Sequence, residues 1–148
     1  MSVKQQIDAF IASQPEPRRS DMQVLHRLIR REMPACRLWF LDGKDETGKT
    51  VTNPNVGYGL CTMKAAGGKT REFYQIGVSP NTTGLSVYIM GMEDRKYLPG
   101  AYAGTIGKAS VTGYCIKFKS LADINRDVLQ AAMRDGIAAT GESRGFRT

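Results

Sequence analysis

The sequence is poor in the residues that build most recognisable chemical sites. It has one histidine, His26, and three cysteines, Cys36, Cys61 and Cys115. The cysteines are odd in number and far apart, and no two form a Cys-x-x-Cys pair. Neither a disulfide framework nor a zinc clip is suggested, and buried, unreactive thiols are the plainer reading. One imidazole and three scattered thiols do not converge by spacing into a metal site. His26 sits beside the apolar stripe of a helix and reads as a flanking residue. No apolar run approaches the roughly 18 residues that span a bilayer. The opening Met1 to Asp8 lacks the apolar core of a signal peptide, which points to a cytosolic chain.

Catalytic and nucleotide motifs are missing too. No Gly-x-Ser-x-Gly elbow occurs. A Ser-His-Asp triad, whose members need not be near in sequence, is left open. Gly57-Tyr58-Gly59 begins like a dinucleotide fingerprint, but Thr62 stands where the third glycine belongs, inside a strand pattern. Gly107-Lys108 resembles the end of a Walker loop. Tyr102 occupies the place of its first glycine, and Ala109 that of its hydroxyl residue. Both nucleotide motifs are rejected.

What is present describes one ordinary globular domain. The 148 residues fit a single unit, expected over residues 1–140 with a polar tail over 141–148. Hydrophobic residues at 41% and charged residues at 24% suit a packed core rather than disorder. The net charge is +7, from 21 basic and 14 acidic residues. That excess draws acidic ligands toward the surface. It is spread along the chain, so a moderately basic domain is a plainer reading than a nucleic-acid binder.

Periodicity gives the element order. Val3, Ile7, Phe10 and Ile11 lie on one face of a helix over about 3–13, capped by Ser2 and broken by Pro15 and Pro17. Met22, Leu25, Leu28, Ile29 and Met33 stripe a second helix from Ser20 or Asp21 to Met33, ended by Pro34. Arg27, Arg30 and Arg31 project from its other side. They read as a solvated face, with a phosphate-binding face as the alternative. The period then alternates. Strands are expected over Arg37–Leu41, Val56–Lys64, Arg71–Val78, Leu85–Met90 and Gly113–Lys119. In the third, Tyr74, Ile76 and Val78 share one face, and Phe73 and Gln75 the other. In the fifth, Tyr114, Ile116 and Phe118 share a face. Asp42–Asn55 is a long polar loop. Ala66-Gly67-Gly68-Lys69 and Pro80–Gly84 are turns. Residues 93–106 hold a short helix or an ordered loop. Val128, Leu129, Ala132, Met133 and Ile137 stripe a last helix from about Asp123 to Ala139. The expected fold class is α+β: a largely antiparallel sheet of about five strands, two N-terminal helices and one C-terminal helix.

One segment invites a binding hypothesis. Gly107-Lys108-Ala109-Ser110-Val111-Thr112-Gly113 combines flexible backbone, a cation and two hydroxyls, and its amides could cradle an anion. The alternative is a tight crossover that needs its glycines for positive φ. The candidate anion-binding residues are Gly107, Lys108, Ser110, Thr112 and Gly113. Trp39, Tyr58 and Ser79 are candidate pocket-lining residues. The second polar loop, Ser79–Thr83, reads as a hairpin connection.

A set of segments carries a family likeness. They are Trp39, Val56-Gly57-Tyr58-Gly59, Ile76-Gly77-Val78-Ser79-Pro80, Leu85–Met90, Gly107-Lys108, Thr112–Phe118 and Leu121-Ala122-Asp123-Ile124. In this order they resemble the YdhG-like domain family of uncharacterised bacterial proteins, over most of the chain. The resemblance implies a compact α+β domain with an antiparallel sheet, likened to frataxin in fold, and one relative is regarded as an intracellular iron chaperone. The family has no settled activity. The sequence departs from its pattern at Ser79-Pro80-Asn81-Thr82, where relatives tend to have Ser-Pro-Arg-Lys. It departs again at Gly107-Lys108-Ala109-Ser110, where they have Gly-Lys-His-Lys. The Asp42–Asn55 insertion is also long for the family.

The expected function is a small non-enzymatic binding domain for an anionic metabolite or a protein partner, with no cofactor and no resident metal. Frataxin-like iron delivery is the alternative the resemblance offers. Hard cations prefer carboxylate oxygens, and the first helix supplies only Asp8, so the residues disfavour it. Weak nucleic-acid binding would need a contiguous basic face, with Arg27, Arg30 and Arg31 the best candidates. A homodimer is a further possibility, and an enzyme is neither supported nor opposed.

Overall fold

The computed structural model describes residues 1–64 and 66–145, with side chains described through Thr140. The last three residues of the expected tail, 146–148, lie outside the described residues. The fold is α+β. Among the described residues, helices α1 (Val3–Ala12) and α2 (Arg18–Glu32) precede eight strands, and α4 (Arg126–Gly145) is the last element.

Local chemistry explains the helix ends. The Ser2 hydroxyl accepts from the Gln5 amide at 3.1 Å, and the Gln5 side chain accepts from the Ser2 amide at 2.9 Å. This reciprocal capping box satisfies two orphan donors of α1. Helix α2 begins at Arg18, earlier than the expected Ser20. The Glu16 carboxylate accepts from both the Ser20 amide and its hydroxyl, at 2.8 and 2.7 Å, which supports a turn already formed there. Helix α4 continues past Gly141. A glycine in a helix costs about 1 kcal/mol but removes no hydrogen bond, and no proline follows it.

The main sheet has six strands in the order β1-β2-β5-β6-β8-β7, all antiparallel. These are β1 (Leu38–Leu41), β2 (Asn55–Tyr58), β5 (Ile76–Asn81), β6 (Gly84–Ile89), β7 (Ala109–Val111) and β8 (Cys115–Phe118). Strands β3 (Cys61–Lys64) and β4 (Thr70–Phe73) form a separate two-stranded hairpin. The sheet expected at about five strands has six among the described residues, with the two-stranded hairpin beside it. Two expected strands are each split, Val56–Lys64 at Gly59 and Arg71–Val78 at Tyr74-Gln75. Gly59 has φ +87°, a conformation that strand residues do not hold. The Gln75 side chain locks the facing break. Its amide donates to Thr140 Oγ1 at 2.5 Å on α4, and its oxygen accepts from the Leu60 amide at 3.2 Å.

Register sorts the two faces. Val56, Val78, Val87, Ile116 and Val111 align across neighbouring strands, as do Tyr58, Ile76 and Ile89. These side chains face Ile7, Met22, Leu25, Ile29, Leu129, Ala132 and Met133, which are nearly all fully buried, and together they make the core. The opposite face carries Trp39, Gly57, Gly77, Tyr88 and Cys115 along one row, and Ser79, Ser86, Lys117 and Ser110 along another. No helix among the described residues is long and apolar enough to cross a membrane.

Two face assignments change. Tyr74 does not share a face with Ile76 and Val78, because its ring lies against Gly57 and Gly77 on the other side. Tyr114 does not share a face with Ile116 and Phe118. It precedes β8, is 51% exposed, and lies parallel to Tyr88 with ring centroids 6.3 Å apart. For Tyr74 the break between β4 and β5 resets the two-residue alternation, whereas Tyr114 lies in the turn before β8 and outside the alternation.

Candidate functional site

A cleft at one end of the sheet has a volume of about 520 Å³. Three segments build it: the hairpin β3–β4, the stretch 90–95 after β6, and the turn between β7 and β8. Met63, Met90 and Met92 supply a soft apolar wall, and Tyr114 adds an aromatic one. The charged lining is Lys64, Arg95 and Glu93, all exposed, with the hydroxyls of Thr62 and Thr70 nearby. A concave site of this size, mostly apolar with a few convergent polar groups, matches the usual form of a small-molecule site.

The walls are fixed by the surrounding fold. Gly91 has φ +83° and packs against Thr140 of α4, where a side chain would collide with the threonine methyl. Gly113 sits against Arg95, and a Cβ there would lie 3.0 Å from the Arg95 Cα and carbonyl oxygen. Beyond the cleft, the chain turns into the short helix α3 (Tyr97–Tyr102). Tyr97 and Tyr102 both donate to Asp135 Oδ2 on α4, Tyr97 at 2.6 Å. Those two bonds tether the element that follows Arg95. Burial, then the bond to Asp135, pushes the Tyr102 hydroxyl well above its ordinary pKa, so it stays a donor.

The expected anion loop is not a loop. Its middle, Ala109–Val111, is the edge strand β7. The amides of Lys108, Ala109 and Thr112 donate to the carbonyls of Asp123, Gly107 and Cys115 at 3.1, 2.9 and 2.8 Å. These three amides are thus already paired within the protein. The Thr112 hydroxyl accepts from the Cys115 amide at 3.1 Å, shaping the hairpin turn. Gly107 has φ +103° and its Cβ position faces the Asp123 carbonyl, so the glycine is there for the crossover. The five candidate residues are divided. Gly113 lines the cleft, whereas Lys108 and Ser110 line a shallower groove of about 380 Å³ with Thr83, Lys117 and Lys119.

The three expected pocket residues lie elsewhere. Tyr58 is 1% exposed, in the core, with its hydroxyl 2.7 Å from His26 Nδ1. Burial pushes its pKa far up and pushes that of His26 down, so the neutral imidazole accepts from the phenol. Ser79 is buried and donates to the Pro54 carbonyl at 2.8 Å, which pins the end of the 42–54 loop to the sheet. Trp39 is half-buried. Its indole donates to the Gly59 carbonyl at 2.7 Å, and the Arg37 guanidinium lies 3.9 Å from its ring centroid. The helix face of Arg27, Arg30 and Arg31 is mostly exposed, with Arg30 half-buried beside His26 and Tyr58. Among the described residues, no three His, Cys, Asp or Glu side chains converge to hold a metal ion.

Sequence reasoning did not find Lys64, Arg95, Tyr114 or the three methionines. The available signal was Met90-Gly91-Met92 directly after a buried strand, where apolar residues outrun the strand they belong to.

Comparison with protein-family models, with curated proteins and with solved structures finds no match to this chain.

Proposed function

We propose that the protein is a non-enzymatic binding domain for a small anionic organic molecule, held in the cleft between the β3–β4 hairpin and the β7–β8 turn. The observation that carries this reading is the pairing of Lys64 and Arg95 with an apolar wall of Met63, Met90, Met92 and Tyr114 in one cleft of about 520 Å³. Apolar burial supplies affinity in such a site, and the cations select charge. Among the described residues the lining carries one carboxylate, Glu93. The reading rests on the apolar wall and the two cations, which suit reversible binding.

A thermal-shift panel of carboxylated and phosphorylated metabolites tests it. Ligand binding raises the melting temperature in proportion to occupancy. The expected result is stabilisation of the native chain by at least one anion, lost in a Lys64→Ala, Arg95→Ala double variant. Equal stabilisation of that variant, or none of the native chain by any anion, overturns the proposal.

A further inference from the structure

We infer that the cleft selects a monoanionic amphipathic ligand, one carboxylate on an apolar aromatic or aliphatic body, rather than a phosphate ester. This rests on the binding reading above and narrows its ligand class. Three observations support the narrowing.

The first is charge. Lys64 and Arg95 stand against Glu93, which leaves one net positive charge on the lining. A single carboxylate balances that charge. A di- or triphosphate brings several negative charges beside the Glu93 carboxylate, with too few cations to offset them.

The second is the pair of glycines in the lining. Gly91 makes room for Thr140 and Gly113 makes room for Arg95, so both have a packing reason that calls for no phosphate. The Arg95 guanidinium supplies the fork that would hold the carboxylate.

The third is the wall. Three methionines and a tyrosine face the same space. Thioether side chains are polarisable and adapt to irregular apolar shapes, and their sulfurs make favourable contacts with aromatic rings. The Tyr114 ring is half exposed and lies parallel to Tyr88 with an interplanar angle of 11°. Its outer side is available to a further flat group. Such a wall has little to offer a sugar phosphate, whose surface is polar throughout.

The probes are 2-naphthoate and decanoate as carboxylates, 2-naphthalenemethanol as the uncharged counterpart, and AMP and ATP as phosphates. Titration calorimetry on the full chain reads affinity. Two-dimensional NMR of the methionine methyls reads location. The expected result is one-to-one binding of at least one carboxylate, with shifts at Met63, Met90 and Met92. Affinity falls at least tenfold for the alcohol, about 1.4 kcal/mol, and to a similar degree in Arg95→Gln. Arg95→Lys recovers part of the loss. If AMP or ATP binds in the cleft and both carboxylates fail, the narrowing is wrong while the binding reading stands. If no probe binds, both are wrong. Carboxylate binding that is unchanged in Arg95→Gln, or that leaves the three methionine methyls unshifted, also overturns the inference.

Discussion

The phenol ring of Tyr74 rests on the bare backbone of Gly77. A Cβ at Gly77 would lie 2.5 Å from the Tyr74 Cε1 and 2.6 Å from its Cζ. The same ring covers Gly57, which pairs with Gly77 across β2 and β5. Phe73 then stacks on Tyr74 at 4.0 Å, and Trp39 meets Phe73 edge-on at 5.9 Å. Two small residues side by side thus let a buried aromatic lie flat on this face of the sheet.

Gly77→Ala is therefore expected to destabilise the fold by about 1–3 kcal/mol, because the ring or the strand must move to admit the methyl. Urea unfolding measures it. The discriminating measurement is the double variant Gly77→Ala, Tyr74→Ala. With the ring gone, the three atoms nearest the added methyl are gone, so the double variant costs less than the two single variants added together. Strict additivity would show that the ring and the glycine do not constrain one another.

The helical parts of this arrangement are legible in the sequence. Ile7 and Ile11, then Met22, Leu25 and Ile29, recur at helical spacing and are all buried. The α+β class and the antiparallel sheet follow from the alternating segments and their tight turns. The breaks within strands are not legible. Val56 to Lys64 holds two glycines, Gly57 and Gly59, and the sequence does not say which of them ends the strand, because the Gln75–Thr140 pair that locks the facing break is distant. Strand β7 is hidden because it is three residues long between glycines, and a pattern of period two needs more residues to show itself. The cleft is invisible for a related reason. Lys64, Arg95 and Tyr114 are brought together only by the order of the strands.

Tyr58 and His26 make a polar contact from the sheet to α2, at 2.7 Å. Tyr58→Phe removes the donor and leaves the imidazole nitrogen without it. The expected loss is about 1–3 kcal/mol, the usual cost of stranding a buried polar atom. Chemical denaturation checks the value. A variant as stable as the native chain would mean that water replaces the hydroxyl.

His26 also sets a pH dependence. Burial first, and the Arg30 charge second, hold its pKa below the ordinary value of 6.5. Between the two values the unfolded chain takes up a proton that the folded chain resists. The contribution is fully present above pH 6.5 and is lost as the pH falls toward the lower folded value. Native protein is expected to lose stability between about pH 7 and pH 5.5 more steeply than a His26→Gln variant. An imidazole titration followed by NMR gives the direct check. A folded midpoint at or above 6.5 would contradict the burial argument.

At the far edge of the sheet, Lys108, Lys117 and Lys119 surround the outer strand β7. An edge strand presents unpaired backbone groups, and lysines there oppose pairing with another chain by charge and by the cost of desolvating them. The groove they line is shallow, and its apolar floor of Leu85 and Phe118 is largely buried. Replacing the three lysines with threonine keeps strand propensity and removes the repulsion. The variant is expected to form dimers or larger species as its concentration rises, seen by light scattering, while the native chain does so less. Raising the salt should move the native protein in the same direction, because screening weakens the same repulsion. A triple variant that scatters no more than the native chain at every concentration would show that the shortness of β7, not its charge, protects the edge.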